Sequence, residues 1–312
     1  MAKFLTFTKK DSDKPTLGIL VEDIVLDLRA SNNNFPSDLL SFIQSGESMQ
    51  KLVKEVCLKP QKSNMYELSD IKIKAPLLNP PSLKDFFAFE EHAKAGAKRR
   101  NESLPNEWYD IPAYYKGNHR AIFGVDDEIL WPYYTKNLDF ECEIACVIGK
   151  SGKNISVEEA NDYIFGYMIF NDFSARDIQK KEMALRLGPA KSKDFANSFG
   201  PYLVTKDEVN PKKDFHMIVK INSELWSEGH FKDQYWDFPL LVSHVSQEEM
   251  IYPGDILGSG TFYKGCGLDL DRWIQPEDTI ELEVNKLGTL RNKIGKPVQY
   301  KELNYKKEEA TK

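Results

Sequence analysis

Short apolar runs, separated by turns rich in Gly and Pro, make up most of this chain and predict a structure built mainly from β-strands. Only two helices are predicted beyond residue 75, at 90–100 and 158–163. The predicted strands of this larger part are 140–148, 164–171, 202–205, 215–221, 255–258 and 279–284. This balance is typical of an α+β, mainly β architecture and not of repeated βαβ units.

The first 75 residues have a different pattern and predict a small N-terminal α/β domain. Strands are expected at 4–7 and within 17–28, followed by a helix over 36–57 that Gly46 interrupts. A Pro-rich run at 76–81 marks the boundary. We therefore predict three segments, which are a small domain at 1–75, a main domain at 76–301 and a solvated tail at 302–312.

Composition places the 312-residue chain among ordinary globular proteins, with 41% hydrophobic and 29% charged residues. A net charge of −6 argues against a nucleic-acid partner, which would require a basic surface. No apolar run approaches about 18 residues and no signal peptide is recognisable, so we expect no membrane association. The four cysteines form no CxxC pair, and reduced thiols in a cytoplasmic protein are expected.

Two carboxylates alternate along one predicted strand. Because strand side chains alternate in direction, Glu141 and Glu143 lie on the same face. The strand continues as Ile-Ala-Cys-Val-Ile, which predicts burial on both faces. Two buried carboxylates repel each other and stay ionised only if a cation compensates, and oxygen ligands favour Mg²⁺, Mn²⁺ or Ca²⁺. The alternative is a solvated face of an amphipathic strand.

Three further residues are candidates, each with a structural alternative. Asp172 closes an apolar strand, where site residues often emerge, but it could also make a turn or cap the next segment. His92 sits beside two acids at a loop-to-helix transition and is a candidate general base or a structural histidine. Lys193 could hold a substrate carboxylate or an enolate oxygen, or lie on the surface.

Five motifs in a fixed order resemble the fumarylacetoacetate hydrolase family over about residues 80–295. They are Asp-Phe-Glu-Cys-Glu at 139–143, Asn-Asp-Phe-Ser-Ala-Arg-Asp-Ile-Gln at 171–179, Lys-Ser-Lys-Asp-Phe at 191–195, Gly-Asp-Ile-Leu-Gly-Ser-Gly-Thr at 254–261 and Leu-Gly-Thr-Leu-Arg-Asn at 287–292. The resemblance implies a mixed β-roll catalytic domain, preceded in larger members by a small N-terminal domain. It also implies a homodimer.

The resemblance assigns roles to individual residues. It implies that Glu141, Glu143, Asp172 and Asp85 bind the divalent cation. It also implies that His92 is the catalytic base and that position 269 holds its acidic partner. The partner is a Glu in the fumarylacetoacetase branch and is Asp269 here, one methylene shorter. Shorter relatives carry a Glu three residues after the His, where this chain has Ala.

The same resemblance implies substrate contacts. They are assigned to Arg100, Tyr115, Gln179 and Thr261, together with the catalytic Lys193, and Arg99 could replace Arg100. Phe87 stands where the hydrolase branch has a Tyr, which predicts the loss of one polar contact.

The implied activity is hydrolysis of a carbon–carbon bond in a 1,3-diketo acid, such as an acylpyruvate, through an enolate leaving group. Relatives with the same metal motif hydrate, isomerise or decarboxylate 2-oxo acids or diketo-deoxy sugar acids, so these reactions are alternatives. A catalytically silent protein with a structural Ca²⁺ is another class. Lys193, Gln179 and His92 together argue against that class, because structural Ca²⁺ needs none of them.

Overall fold

Three β-sheets organise residues 2–300, the part of the chain that this computed structural model describes. The predicted tail at 302–312 lies outside these residues. The strands are β1 (Lys3–Lys9), β2 (Ser12–Val21), β3 (Ile24–Asp27), β4 (Met65–Glu67), β5 (Ile71–Lys74), β6 (Leu83–Phe86), β7 (Tyr114–Lys116), β8 (Ile122–Phe123), β9 (Glu128–Ile129), β10 (Leu138–Asp139), β11 (Cys142–Ile148), β12 (Ile164–Asp172), β13 (Ser174–Ala175), β14 (Asn197–Thr205), β15 (His216–Ile221), β16 (Glu224–His230), β17 (Ile256–Gly258), β18 (Thr279–Val284) and β19 (Gly288–Ile294).

Ten α-helical segments, most of them short, connect these strands in the described part of the chain. They are α1 (Leu28–Ser31), α2 (Leu39–Gln44), α3 (Glu47–Leu58), α4 (Glu90–Arg99), α5 (Glu107–Asp110), α6 (Val157–Tyr163), α7 (Arg176–Ala184), α8 (Pro211–Asp214), α9 (Phe238–Ser246) and α10 (Gly267–Leu270). None of the helices within residues 2–300 has the length and apolar character needed to cross a bilayer.

The largest sheet has 12 strands, in the order β4-β3-β2-β1-β14-β12-β11-β17-β6-β7, with β5 paired to β1 and β8 paired to β14. A second sheet has the order β16-β15-β18-β19-β9, and β10 pairs with β13. The N-terminal strands join the large sheet through antiparallel pairing of β1 with β14. The N-terminal segment therefore shares a sheet with the main domain, and the boundary at residue 75 stays a prediction.

The core is centred on β11 and β12, in which every residue is buried. A second core cluster lies between the N-terminal helices and the large sheet, where the Phe42 ring is 4.8 Å from the Phe4 ring and 6.4 Å from the Phe165 ring, centroid to centroid. Such rings bury large apolar areas and fix the N-terminal segment against β12. The two central strands therefore form a rigid support for side chains at their ends.

The predicted mainly β, α+β fold is confirmed, although several elements were not predicted, among them the seven-residue strands β16 and β19 and the nine-residue helices α7 and α9. The sequence prediction missed α7, because its only buried residue is Arg176 and it has no apolar stripe. It also missed α9, although the buried Phe238, Leu241, Val242 and Val245 of this helix recur at helical spacing. The Asp237 side chain accepts a hydrogen bond from the Leu240 N–H and begins α9, a capping signal that was readable in the sequence. Gly46 divides the predicted 36–57 helix, with φ of +71°.

Candidate active site

Four buried carboxylates converge at one end of β11 and β12. Asp85, Glu141, Glu143 and Asp172 each place a carboxylate oxygen within 4.8 Å of the others. Their exposed fractions are 5% or less. The structure thus brings together all four residues that the family resemblance assigns to the cation.

Strand pairing explains this convergence. β11 and β12 are antiparallel, with Cys142 opposite Asn171, so Glu143 and Asp172 come from adjacent strands. β17 pairs with β11 on one side and with β6 on the other, where Gly258 lies opposite Asp85. A Cβ at position 258 would lie 2.2 Å from the Asp85 carboxylate, so only glycine leaves room for that side chain.

The electrostatics of the cluster fit a divalent cation. Burial raises the pKa of Glu143 and of Asp172 well above their usual values, and the charges of the neighbouring carboxylates add to this increase. For Asp172, the charge of Lys193 offsets part of the increase in pKa. Burial also raises the pKa of Asp85 to about 6. Glu143 Oε1 and Asp172 Oδ1 are buried and accept no hydrogen bond within residues 2–300. Unpartnered oxygens beside like charges are what a bound cation would compensate, so these residues fit Mg²⁺, Mn²⁺ or Ca²⁺.

Lys193 lies within this cluster. Its ammonium group donates hydrogen bonds to Glu141 and Asp172. Burial by itself would lower the pKa of Lys193, but the charges of Asp172 and Glu141 outweigh it and raise that pKa, so the amine stays protonated. For Glu141, burial is likewise outweighed, because Lys193 and Arg176 lower its pKa. The cluster therefore carries a fixed positive group beside its acidic oxygens.

A His–Asp pair lies next to the carboxylates. His92 Nδ1, in α4, is 2.7 Å from Asp269 Oδ2, in α10. Because a carboxylate only accepts, Nδ1 donates, and Nε2 is left free to take a proton. The Lys264 N–H also donates to the same Asp269 oxygen at 3.1 Å and fixes its position. The Phe87 ring packs edge-on against the imidazole at 5.3 Å between centroids. The shorter Asp269 side chain thus reaches the histidine.

The description "Fumarylacetoacetate (FAA) hydrolase C-terminal" belongs to the family model that matches residues 83–295, more than half of the chain. The chain belongs to this family. The predicted family is therefore confirmed, and known members of this fumarylacetoacetate hydrolase family are enzymes that act as hydrolases, isomerases or tautomerases.

Relatives with specified activities differ in their reactions. Oxaloacetate tautomerase YisK of Bacillus subtilis is 30% identical over 298 residues, which cover 89% of this chain and 96% of that protein. A fumarylacetoacetate hydrolase from Exiguobacterium antarcticum is 25% identical, with a TM-score of 0.76 over 95% of this chain and 100% of its own. A maleylpyruvate hydrolase from Sphingobium sp. SYK-6, solved with manganese(II) and pyruvate, is 19% identical, with a TM-score of 0.74 over 95% and 100%.

The remaining predicted substrate residues of this family member lie in different settings. The Tyr115 hydroxyl donates to Asp172 Oδ2 at 2.8 Å, and burial raises the pKa of this phenol, which stays protonated. Thr261 is buried, and its hydroxyl donates to the Cys142 carbonyl at 3.0 Å. Arg100 is half-exposed at the end of α4 and pairs with Glu102, so the structure does not place it at the cluster. Its substrate role stays a prediction.

Arg176 is a site residue that the sequence interpretation did not single out. Its guanidinium donates to Glu141 Oε1 at 2.7 Å, to Asp139 Oδ2 at 2.8 Å and to Gln179 Oε1 at 3.0 Å. It therefore links a candidate cation ligand to a predicted substrate residue. The signal was present, because Arg176 and Asp139 both lie within the motifs that identify the family.

Asp139 connects this guanidinium to the helix that carries Asp269. Its carboxylate accepts from the Gly267 N–H at 2.8 Å and from the Leu268 N–H at 3.0 Å, in the first turn of α10. Negative charge at a helix N-terminus satisfies free N–H groups and is stabilising. One buried carboxylate thus fixes both Arg176 and α10.

We expect Asp139→Asn to lower the free energy of unfolding by about 3 kcal/mol, because it breaks a buried ion pair and leaves Arg176 with one carboxylate fewer. Urea unfolding measures this change. The matched control is Asp126→Asn, which breaks the half-exposed pair with Arg291 and should cost at most about 1 kcal/mol. Equal losses in the two variants would contradict this reading of the buried network.

Proposed function

We propose that this protein is a divalent-metal-dependent hydrolase that cleaves a carbon–carbon bond in a 1,3-diketo acid, such as an acylpyruvate. The observation that carries the proposal is the 2.7 Å contact between His92 and Asp269, adjacent to four buried carboxylates. Hydrolysis needs a base that activates water, and a histidine oriented by a carboxylate is suited to that task. The E. antarcticum hydrolase, similar over its whole length, supports this choice.

The chain's residues suit the steps of this reaction. His92 Nε2 takes a proton from water while the water oxygen attacks the acyl carbonyl carbon, and Asp269 stabilises the imidazolium. The carbon–carbon bond then breaks, its electron pair leaves with the departing fragment as an enolate, and the new carboxylic acid forms. His92 returns the proton to the enolate carbon, which gives the 2-oxo acid.

Charge that develops on the enolate oxygen needs fixed donors. Lys193 supplies an ammonium group, and Gln179 supplies its amide N–H₂, because its Oε1 is already taken by Arg176. Asp85, Glu141, Glu143 and Asp172 would hold the divalent cation. When bound, the cation acts as a Lewis acid that polarises the substrate oxygens.

A second candidate reaction is keto–enol tautomerisation of a 2-oxo acid such as oxaloacetate. Its specific support is the B. subtilis tautomerase, which matches 89% of this chain. Tautomerisation also needs a base that moves a proton between carbon and oxygen, and His92 is suited to that step. The two reactions differ in that only hydrolysis consumes water.

Turnover in ¹⁸O-labelled water separates the two reactions. We suggest testing acylpyruvates, diketo sugar acids and oxaloacetate with Mg²⁺, with Mn²⁺ and with EDTA. Hydrolysis incorporates one labelled oxygen in the new carboxylate, whereas tautomerisation changes the enol absorbance and leaves the carbon skeleton intact. Turnover that is insensitive to EDTA, or no turnover with either ion, would reject a metal-dependent enzyme.

Two properties outside the site belong to the same proposal. A homodimer formed through the catalytic domain is expected from the family, and light scattering on the purified protein tests it. A cytoplasmic location fits the four free cysteines, because thiols stay reduced there.

A further inference from the structure

A second group of potential metal ligands lies beside the carboxylate cluster. His92, Cys266 and Asp269 each offer one ligand atom, a nitrogen, a sulfur and an oxygen, and these three atoms lie within 4.8 Å of one another. All three side chains are buried, with exposed fractions of 10% for His92 and 0% for Asp269, and Cys266 is also 0% exposed. His92 lies in α4, Asp269 lies in α10, and Cys266 is the residue that immediately precedes α10.

One carboxylate oxygen of Asp269 has no role in the protein's own hydrogen bonding. Asp269 Oδ2 accepts from His92 and from the Lys264 N–H, but Oδ1 is buried without a partner in the described part of the chain. An unpartnered oxygen on a fully buried carboxylate is costly and indicates that a ligand completes the site. This observation is independent of the proximity of the three residues.

We propose that His92, Cys266 and Asp269 form a second, inhibitory metal site, selective for thiophilic ions such as Zn²⁺ or Cd²⁺. Nitrogen, sulfur and oxygen donors suit these ions, whereas the neighbouring oxygen-only cluster suits Mg²⁺ or Mn²⁺. The two adjacent sites then differ in the cations they prefer, because one offers nitrogen and sulfur donors and the other offers only oxygens. The inhibitory effect rests on the proposed role of His92 as base, while the binding itself does not.

Binding requires the three ligand atoms to move closer together. A tetrahedral ion with bonds of about 2.0–2.3 Å separates its ligand atoms by about 3.3–3.6 Å. The three atoms lie within 4.8 Å of one another, so none of these separations has to shorten by more than about 1.5 Å. The 2.7 Å contact between His92 and Asp269 would have to open by about 0.6 Å, or Oδ1 would replace Oδ2 as ligand.

Binding of the ion requires no oxidant or reductant. The Cys266 S–H bond breaks as the sulfur–metal bond forms, and the proton leaves to the buffer. His92 binds through Nδ1, whose proton moves to Nε2 so that the imidazole stays neutral, Asp269 binds as a carboxylate, and water takes the fourth position. Because Nε2 then carries a proton, it can no longer accept one from water, and turnover stops.

Cadmium titration of the full-length protein, kept saturated with Mg²⁺, tests this site. The sulfur-to-cadmium charge-transfer band in the ultraviolet should reach its maximum at one equivalent. Cys266→Ser should abolish the band and weaken Cd²⁺ binding by about 100-fold or more, since even outer-shell changes cost 10- to 100-fold. The control Cys146→Ala removes another buried thiol, in β11, and should keep the band.

Inhibition by Zn²⁺ should depend on the same residue, Cys266. Zn²⁺ added to the Mg²⁺-loaded wild type should inhibit turnover, and Cys266→Ser should remain active at that Zn²⁺ concentration. A wild type without the band, or a Cys266→Ser variant that keeps it, would overturn the proposal. Circular dichroism and retained Mn²⁺ binding establish that the variant is folded. Because the band requires no turnover, inactivity toward acylpyruvates would reject the proposed function and leave this site standing.

Discussion

His92→Ala should lower kcat by about 10²- to 10⁴-fold, the range that a positioned general base contributes. The imidazole is held by Asp269 at 2.7 Å and leaves Nε2 free for the proton. His92 is not one of the four residues whose carboxylates fit the cation. Mn²⁺ affinity, measured by calorimetry, should therefore be nearly unchanged.

The control for this variant is His216→Ala. His216 lies on β15 in the five-stranded sheet, is partly exposed and pairs with Glu228, so its loss should leave kcat near the wild-type value. Asp269→Asn should lower kcat as well, because the imidazole loses the carboxylate that orients it. Near-normal turnover of His92→Ala would remove this residue from the mechanism.

Glu143→Gln should raise stability without metal and should remove most of the stabilisation that metal binding gives. In EDTA, the wild type must either bury the Glu143 charge among like charges or take up a proton as it folds, because its pKa is raised. Glutamine avoids both costs, and we expect a gain of about 1–3 kcal/mol in the free energy of unfolding at neutral pH. A divalent ion at about 100 times its dissociation constant stabilises the wild type by about 2.7 kcal/mol. This increment should nearly disappear in the variant, because it lacks one charged ligand.

Urea unfolding with Mn²⁺ and with EDTA measures both effects. The control Glu283→Gln alters a partly exposed carboxylate on β18 that pairs with Lys220, so it should keep the whole metal increment. An unchanged increment in Glu143→Gln, or a variant less stable than the wild type in EDTA, would contradict the assignment of Glu143 as a cation ligand.

Local sequence patterns predicted the central strands, because burial in a sheet favours apolar residues along the strand, but they missed the seven-residue strands β16 and β19. The predicted strand 164–171 agrees with β12, and 279–284 agrees with β18 at both ends. Helix α7 has no apolar pattern in the sequence, since its buried residue is Arg176, which pairs with Asp139 far away in the chain. Patterns of apolar residues reveal an element only where apolar side chains bury it.

The amino-acid sequence by itself determined that Glu141 and Glu143 share one face, because side-chain alternation is a local property of a strand. Asp172 and His92 were candidates from their sequence settings, and the family resemblance added Asp85 and gave all three residues their roles. The sequence also shows the Asp at position 269. What it left open was whether the shorter carboxylate reaches the histidine.

Only the tertiary structure decided that contact, along with the network beneath it. Asp269 reaches His92 because α10 begins on the carboxylate of Asp139, which also holds Arg176. Arg100, which the family resemblance places near the substrate, pairs with Glu102 at the end of α4, and its substrate role stays a prediction. These outcomes depend on contacts between residues far apart in the chain, and such distances are set by how sheets and helices pack, which local patterns do not encode.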